Sequence, residues 1–241
     1  MLRVVAAAIG VLAAAQSPRA PDSATADLIG RSRASIRAGG PVESIRALRM
    51  KGRLRIPAEG AQPSDGLVDI RIQLPDRYVR IDTVGSVERW SGFDGSTLLT
   101  ATRVGGRVTP PPRNERASLV AQEREIATWF LLGLAAIGDS SLTMKLADEA
   151  FPDTRSIDVT RGRAEARLVL DADSAVPLRV VYWAGKRGNM VTSFADRRDV
   201  GGFLLPHRIT TTTPTHVLET LMLDDIVVNP PLTDADFKLP T

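Results

Sequence analysis

Apolar and basic residues alternate in LRMKGRLRI, residues 48–56, and this stretch decides the class of fold. A β-strand places successive side chains on opposite faces, so a period of two indicates a strand with one apolar face and one wet face. The alternation returns in VDIRIQL, residues 68–74, and in YVRID, residues 78–82. The sequence therefore predicts neighbouring strands in a sheet that is apolar on one side.

Short strand-forming runs continue to the end of the chain, and Asp94-Gly95 between two of them is a hairpin signal. Two segments have helical spacing instead, residues 27–38 and residues 115–137, and the second is apolar almost all round in its later half. The regular spacing of the strands indicates an antiparallel meander. Further strands are predicted at residues 87–90, 97–102, 142–147, 156–160, 165–170, 177–183, 190–200, 203–212 and 217–228.

The N-terminal residues 1–15 have the features of a secretory signal: Arg3, then a short apolar segment, then small residues. Cleavage is predicted at about Ala15, and an uncleaved N-terminal anchor is the alternative. Residues 16–26 are rich in Pro, Ser, Ala and Asp and are predicted to form a flexible leader. We expect residues 27–241 to form a single domain that is exported to the periplasm.

Composition excludes several classes of site. The chain has 31 Lys and Arg against 28 Asp and Glu, and its basic residues are scattered, so no nucleic-acid partner is expected. It has no cysteine, which excludes disulfides, thiolate catalysis, Cys-ligated metals and a lipid-modified cysteine. Its two histidines, His207 and His216, are interpreted as ordinary polar residues, with a ligand role as the alternative. We expect no metal and no cofactor.

The motifs of common enzymes are missing. The sequence lacks Gly-x-Ser-x-Gly, His-Glu-x-x-His and the phosphate-binding Gly-x-x-x-x-Gly-Lys-Ser/Thr. Adjacent carboxylates occur at Asp148-Glu149 and at Asp224-Asp225. They are interpreted as solvated strand ends, with an acid–base pair or a calcium site as the alternatives. We therefore predict no catalytic residues and no enzyme activity.

Several short stretches follow one another in an order typical of one family. They are Met50-Lys51-Gly52, Gly92-Phe93-Asp94-Gly95, Pro177-Leu178-Arg179-Val180, residues 202–209 (GFLLPHRI) and the ending 228–240. In this order, residues 27–241 resemble the LolA/LolB-like superfamily of periplasmic carriers and receptors for lipoproteins and other lipids. Without a cysteine, the chain differs from the lipid-anchored receptors of that family.

The resemblance implies a mainly β (α+β) fold, in which a strongly curved antiparallel sheet forms an unclosed β-barrel. Helices would cover the concave face, and one arginine, which the sequence does not single out, would latch this lid. Acyl chains would lie between the sheet and the lid. The expected function is that of a periplasmic carrier or binding protein for lipids or for the acyl chains of lipoproteins, with transient membrane contact.

The alternation of the strands and the apolar helix together predict which residues line such a cavity. A solid core formed by the same side chains is the alternative for each of them. Two other functions stay open: an envelope sensor or regulatory domain that binds a protein partner, and an enzyme that uses a buried carboxylate or arginine. The predicted cavity residues are Leu48, Met50, Leu54, Ile56, Val68, Ile70, Ile72, Leu74, Val79, Ile81, Trp129, Phe130 and Leu134.

Overall fold

The computed structural model describes residues 21–58, 60–148, 152–184 and 188–240. The predicted signal sequence, residues 1–15, and leader residues 16–20 lie outside the described residues. Two α-helices are described, α1 (Ser23–Ser35) and α2 (Arg116–Ala135). The strands are β1 (Ala47–Ile56), β2 (Ser64–Gln73), β3 (Arg77–Val84), β4 (Val87–Asp94), β5 (Thr97–Leu98), β6 (Ala101–Val104), β7 (Arg107–Thr109), β8 (Thr143–Leu146), β9 (Thr154–Arg161), β10 (Ala164–Asp171), β11 (Pro177–Trp183), β12 (Asn189–Val200), β13 (Phe203–Thr212) and β14 (Val217–Val228).

Helix α1 begins at Ser23, four residues before the predicted start, so the leader predicted for residues 16–26 is too long at its C-terminal end. Asp22 caps the helix, because its carboxylate accepts a hydrogen bond of 2.8 Å from the backbone N–H of Thr25. The buried Thr25 hydroxyl in turn accepts a hydrogen bond of 3.0 Å from the backbone N–H of Leu146. These contacts fix the first turn of α1 to the sheet.

The fourteen described strands form one antiparallel sheet in the order β7-β6-β4-β3-β2-β1-β14-β13-β12-β11-β10-β9-β8, with the short β5 paired to β4. Strands β7 and β8 stand at the two ends of this order and do not pair with each other within the described chain. The predicted fold class, an unclosed antiparallel barrel with helices, is therefore confirmed. No helix in the described part of the chain is both long enough and apolar enough to span a membrane.

The sheet is strongly bent around its concave face. Arg80 on β3 forms an ion pair with Glu219 on β14 at 2.6 Å, although β2 and β1 lie between these strands. In a flat sheet, strands three places apart would be about 14 Å from each other. Part of the bend arises at Gly52, opposite which the pairing of β1 with β14 skips one residue to form a β-bulge. A Cβ on Gly52 would lie 2.0 Å from the carbonyl oxygen of Met222, so this position requires glycine.

Helix α2 lies across the concave face, where it packs against β4, β11 and β12. It approaches the sheet closely at Gly133, where an added Cβ would lie 1.9 Å from the ring of Phe194 on β12. The helix ends at Ala135, and Ala136, which caps it, has a left-handed φ of 51°. Glycine at position 133 thus lets the C-terminal half of α2 sit directly on the sheet.

One partly buried arginine, Arg197 on β12, fixes the C-terminal end of α2. Its guanidinium donates hydrogen bonds of 3.0 and 2.9 Å to the carbonyls of Gly133 and Leu134 in the last turn of the helix. The same group donates to the carbonyl of Pro177 at 2.8 Å and to that of Leu204 at 3.0 Å. Burial lowers the pKa of Arg197 to about 10, which leaves it charged at neutral pH. A cation near helix carbonyls also complements the helix dipole.

Candidate functional site

A cavity of about 710 Å³ lies between α2 and the concave face of the sheet. Its volume falls within the range of about 300–1,000 Å³ that is usual for small-molecule sites. Residues of β1 to β4 and of β11 to β14 form its floor and sides, and α2 forms its roof. The apolar part of its wall consists of Ile56, Ile70, Ile126, Trp129, Phe130, Met190, Ile209, Leu218 and Leu221.

The cavity opens to solvent at one side. The exposed side chains of Arg89, Gln122 and His216 line it there. Two hydroxyl groups, those of Thr213 and Thr215, each lie 3.0 Å from the ring Nδ1 of His216. A guest molecule would therefore enter between β4, the N-terminal half of α2 and the turn before β14.

A partly buried group of charges lies on the wall of this cavity. Arg80 donates two hydrogen bonds, of 2.8 and 2.6 Å, to the carboxylate of Glu219 and a third, of 2.8 Å, to Asp82. Burial alone would lower the pKa of Arg80, but the two carboxylates more than offset it and raise the pKa well above its usual value. Burial raises the pKa of Asp82, although Arg80 acts in the opposite direction. Arg80 thus stays charged and holds β3 to β14.

Glu123, on the cavity side of α2, is the unusual member of the wall. Only 9 % of this residue is exposed, and it forms no hydrogen bond or ion pair with any residue that the structure describes. Burial raises the pKa of its carboxyl from 4.5 to about 7, an increase that the charge of Arg80 only partly opposes. The other charged or titratable side chains that face the cavity are Tyr78, Arg80, Asp82, Arg89, Tyr182, His216 and Glu219. The cavity therefore contains one carboxyl group, that of Glu123, without a hydrogen-bonding partner among the residues that the structure describes.

The structure divides the thirteen predicted cavity residues into several groups. Ile56, Ile70, Trp129 and Phe130 line the main cavity. Ile72 and Leu74 line a smaller cavity of about 130 Å³ between α2 and the strands β2 and β3. Five others are buried in the core between the sheet and the helices and do not line the main cavity, namely Leu48, Met50, Leu54, Val68 and Leu134.

The structure does not place Val79 and Ile81 on the wall of the main cavity. Both side chains point to the opposite face of β3, where Val79 belongs to a separate cluster with Trp90 and Phe237 and Ile81 packs against it. The apolar residues of this outer face are shielded from water because the C-terminal segment covers them. Phe237 in that segment is only 2 % exposed. The cavity face of β3 carries the alternate residues Tyr78, Arg80 and Asp82 instead, so the apolar side of this strand is its outer side.

Local sequence patterns hardly point to the charged group, because Arg80, Asp82, Glu123 and Glu219 lie in segments whose clearest pattern is that of their apolar residues. One signal was available on β3. Tyr78, Arg80 and Asp82 share a face by their period of two, and Ile70 on β2 pairs with Arg80. Because β3 pairs with β2, the side chains of these three residues lie on the same side of the sheet as the apolar residues of β2.

The remaining candidates that the structure describes do not come together in a second site. His207 is buried and its ring Nδ1 lies 3.1 Å from the carbonyl of Leu205. Asp224 is exposed and forms an ion pair with Arg53, while Glu149 lies outside the described residues. Among the residues that the structure describes, no three acidic or histidine side chains are grouped so that they could hold a metal ion.

No protein-family model and no curated protein sequence matches the chain. Solved structures do match it. A domain from Vibrio parahaemolyticus described as an outer membrane lipoprotein-sorting protein domain has a TM-score of 0.58 at 12% identity, over 89% of this chain and 96% of that one. A LolA superfamily protein from Nitrosomonas europaea has a TM-score of 0.56 at 12% identity, over 89% and 97%.

A third structure, a DUF1329 family protein from Desulfovibrio piger, has a TM-score of 0.55 at 12% identity, over 88% of this chain and 95% of the other. All three alignments span nearly the whole of the matched chain and most of this one. At this level of identity the likeness concerns the fold. The chain therefore has the fold of the LolA superfamily.

Proposed function

We propose that this protein is a periplasmic binding protein or carrier that holds a lipid, or an acyl chain of a lipoprotein, between its curved sheet and α2. The observation that carries the proposal is the 710 Å³ cavity under α2, whose wall combines an apolar part with a group of charged side chains. The matched fold supports it, because one neighbour is described as a lipoprotein-sorting domain. The proposed activity is reversible binding without chemical change of the ligand.

Burial of apolar surface supplies the driving force. Each buried methylene group contributes about 0.8 kcal/mol, so a chain of roughly twelve carbons gains about 10 kcal/mol before the costs of association. The cavity offers an acyl chain apolar surface on two sides, from Trp129 and Phe130 of α2 and from Ile209 of β13. The ligand is thus recognised mainly through its tail.

The helix α2 is held to the sheet at two points along its length. At the far end Arg197 binds its last carbonyls, and nearer its start Arg124 donates to the carbonyl of Gly95 at 2.6 Å and lies over the ring of Phe93. A roof that is fixed at two points keeps the cavity open without a ligand. We therefore expect binding to need little rearrangement of the backbone.

Tryptophan fluorescence tests this proposal, because the three tryptophans lie in different places. Trp129 lines the cavity, Trp90 is buried under the C-terminal segment, and Trp183 is 61 % exposed. A W90F/W183F variant reports on Trp129 alone, and a W129F/W183F variant reports on Trp90 as the matched control. The ligand is a long-chain alcohol that carries a bromine atom, a quencher that acts at contact.

We expect saturable quenching of Trp129 and unchanged emission from Trp90. Equal quenching of both tryptophans would indicate non-specific association with the surface. No quenching of Trp129 at any concentration below the onset of micelles would contradict the proposed function.

A further inference from the structure

We propose that the cavity selects an amphiphile whose polar end is a protonated amine, and that the carboxylate of Glu123 receives this amine. The inference rests on the proposed function and adds the chemistry of the head group to it. It follows from two features of the cavity wall: the charge of the group around Arg80, and the unpartnered carboxyl on α2.

The charged group disfavours an anionic guest. Arg80 donates hydrogen bonds to both carboxylate oxygens of Glu219 and to Asp82. One cation thus faces two carboxylates, and the three side chains together have one net negative charge. The other cation on the wall, Arg89, is exposed at the opening, where water screens its charge. A carboxylate or phosphate inside the cavity would meet negative charge without a free buried cation.

Glu123 calls for a hydrogen-bond donor. A buried polar group without a partner costs free energy, and most such groups in proteins are satisfied. Glu123 is nine-tenths buried, faces the cavity, and has no partner within the part of the chain that the structure describes. A protonated amine supplies a donor and a counter-charge together, a hydroxyl supplies the donor alone, and a carboxylate supplies neither.

The direction of the guest follows from the helix. Ile126 and Phe130 come three and seven residues after Glu123, so the three side chains follow one another along the cavity face of α2. The amine would sit at Glu123, near the opening lined by Gln122, and the apolar chain would extend along α2 past Phe130. This arrangement places the polar end close to water and the tail in the apolar part.

A series with one chain length and different head groups tests the inference. Decylamine, decanol and decanoate are each used at pH 8 to displace a neutral fluorescent probe from the full-length protein. We expect decylamine to bind about tenfold more tightly than decanol, since a charge-assisted hydrogen bond contributes at least about 1.5 kcal/mol. Decanoate is expected to be the weakest of the three.

The variant Glu123→Gln keeps the shape of the side chain and removes its charge. We expect it to lower decylamine affinity about tenfold and to reduce the preference for decylamine over decanol. Glu115→Gln is the matched control, because Glu115 is exposed, precedes α2 directly and does not line the cavity. It removes the same charge and should leave the preference unchanged.

Two lysophospholipids distinguish the sources of the amine. Displacement by lysophosphatidylethanolamine but not by lysophosphatidylglycerol assigns the amine to a lipid head group, and displacement by decylamine alone assigns it to an amine carried directly on the chain. Either result supports the inference. Equal binding of decylamine and decanol, unaltered in Glu123→Gln, overturns it and leaves the proposed function standing. If no member of the series displaces the probe, both fail.

Discussion

Replacing Arg197 with methionine should release the C-terminal end of α2 from the sheet. The side chain is largely buried and donates to four carbonyls, those of Gly133, Leu134, Pro177 and Leu204. Methionine is of similar length and fills the same space, but it donates no hydrogen bond. The change therefore removes the contacts between helix and strands while it preserves most of the packing.

The magnitude follows from two opposing effects. Hydrogen bonds from a charged donor contribute at least about 1.5 kcal/mol each, so four of them contribute about 6 kcal/mol. Burial of the guanidinium opposes this, since it lowers the pKa of Arg197 from 12.5 to about 10. That difference corresponds to about 3 kcal/mol, which methionine does not incur. Arg197→Met should therefore lower the free energy of unfolding by about 3 kcal/mol.

Urea unfolding followed by circular dichroism measures this change. We expect a lower midpoint with the same slope, because the surface exposed on unfolding hardly changes. Arg198→Met is the matched control: Arg198 is the next residue on β12, its side chain is 61% exposed, and it forms an ion pair with Asp196. Its midpoint should stay at the wild-type value. Wild-type stability of Arg197→Met, or an equal loss of stability in the two variants, would refute this role of Arg197.

Three further predictions concern the cavity and its roof. First, burial raises the pKa of Glu123 to about 7, so its native state holds the proton more tightly than the unfolded chain and the wild type loses stability as pH rises from 4.5 through 7. Urea unfolding of Glu123→Gln should show a gain relative to the wild type of about 3 kcal/mol between pH 4 and pH 8, and a constant difference would contradict this. Second, Gly133→Leu should destabilise the protein, because the new side chain would collide with the ring of Phe194; the melting temperature should fall, whereas Gly30→Ala in α1, where an added Cβ meets nothing within 4 Å, should not lower it. Third, probe displacement by alcohols of eight, ten and twelve carbons should improve about fourfold per methylene, and affinity independent of chain length would exclude an apolar tail site.

The strands could be predicted because their side chains alternate. In β1 the apolar residues Leu48, Met50, Leu54 and Ile56 share one face, and basic residues occupy the other face, as the period of two requires. The later strands, such as β13 and β14, follow the predicted ranges of residues 203–212 and 217–228. Periodicity determines which residues share a face, so the architecture of the sheet could be predicted from the sequence.

Most of the charged wall of the cavity could not be predicted from the sequence, because periodicity does not say which face of a strand is the inner one. Val79 and Ile81 are apolar and yet lie outside, since the residues around Phe237 return from the C-terminus to cover them. Arg80 and Glu219 are separated by 139 residues and meet only because the sheet bends. Such contacts depend on tertiary structure, and a single sequence contains no local pattern for them.

The claim that the cavity holds an amphiphile is tested most directly by native mass spectrometry of the protein released from a bacterial envelope without detergent. We predict a non-covalent adduct with the mass of a lipid or acylated molecule. Ile209→Trp, which fills the cavity from its floor, should lack the adduct, whereas Val217→Trp, at a position 38 % exposed and outside the cavity wall, should retain it. Only the mass of the bare chain in all three proteins, or the same adduct on the filled variant, would contradict the account.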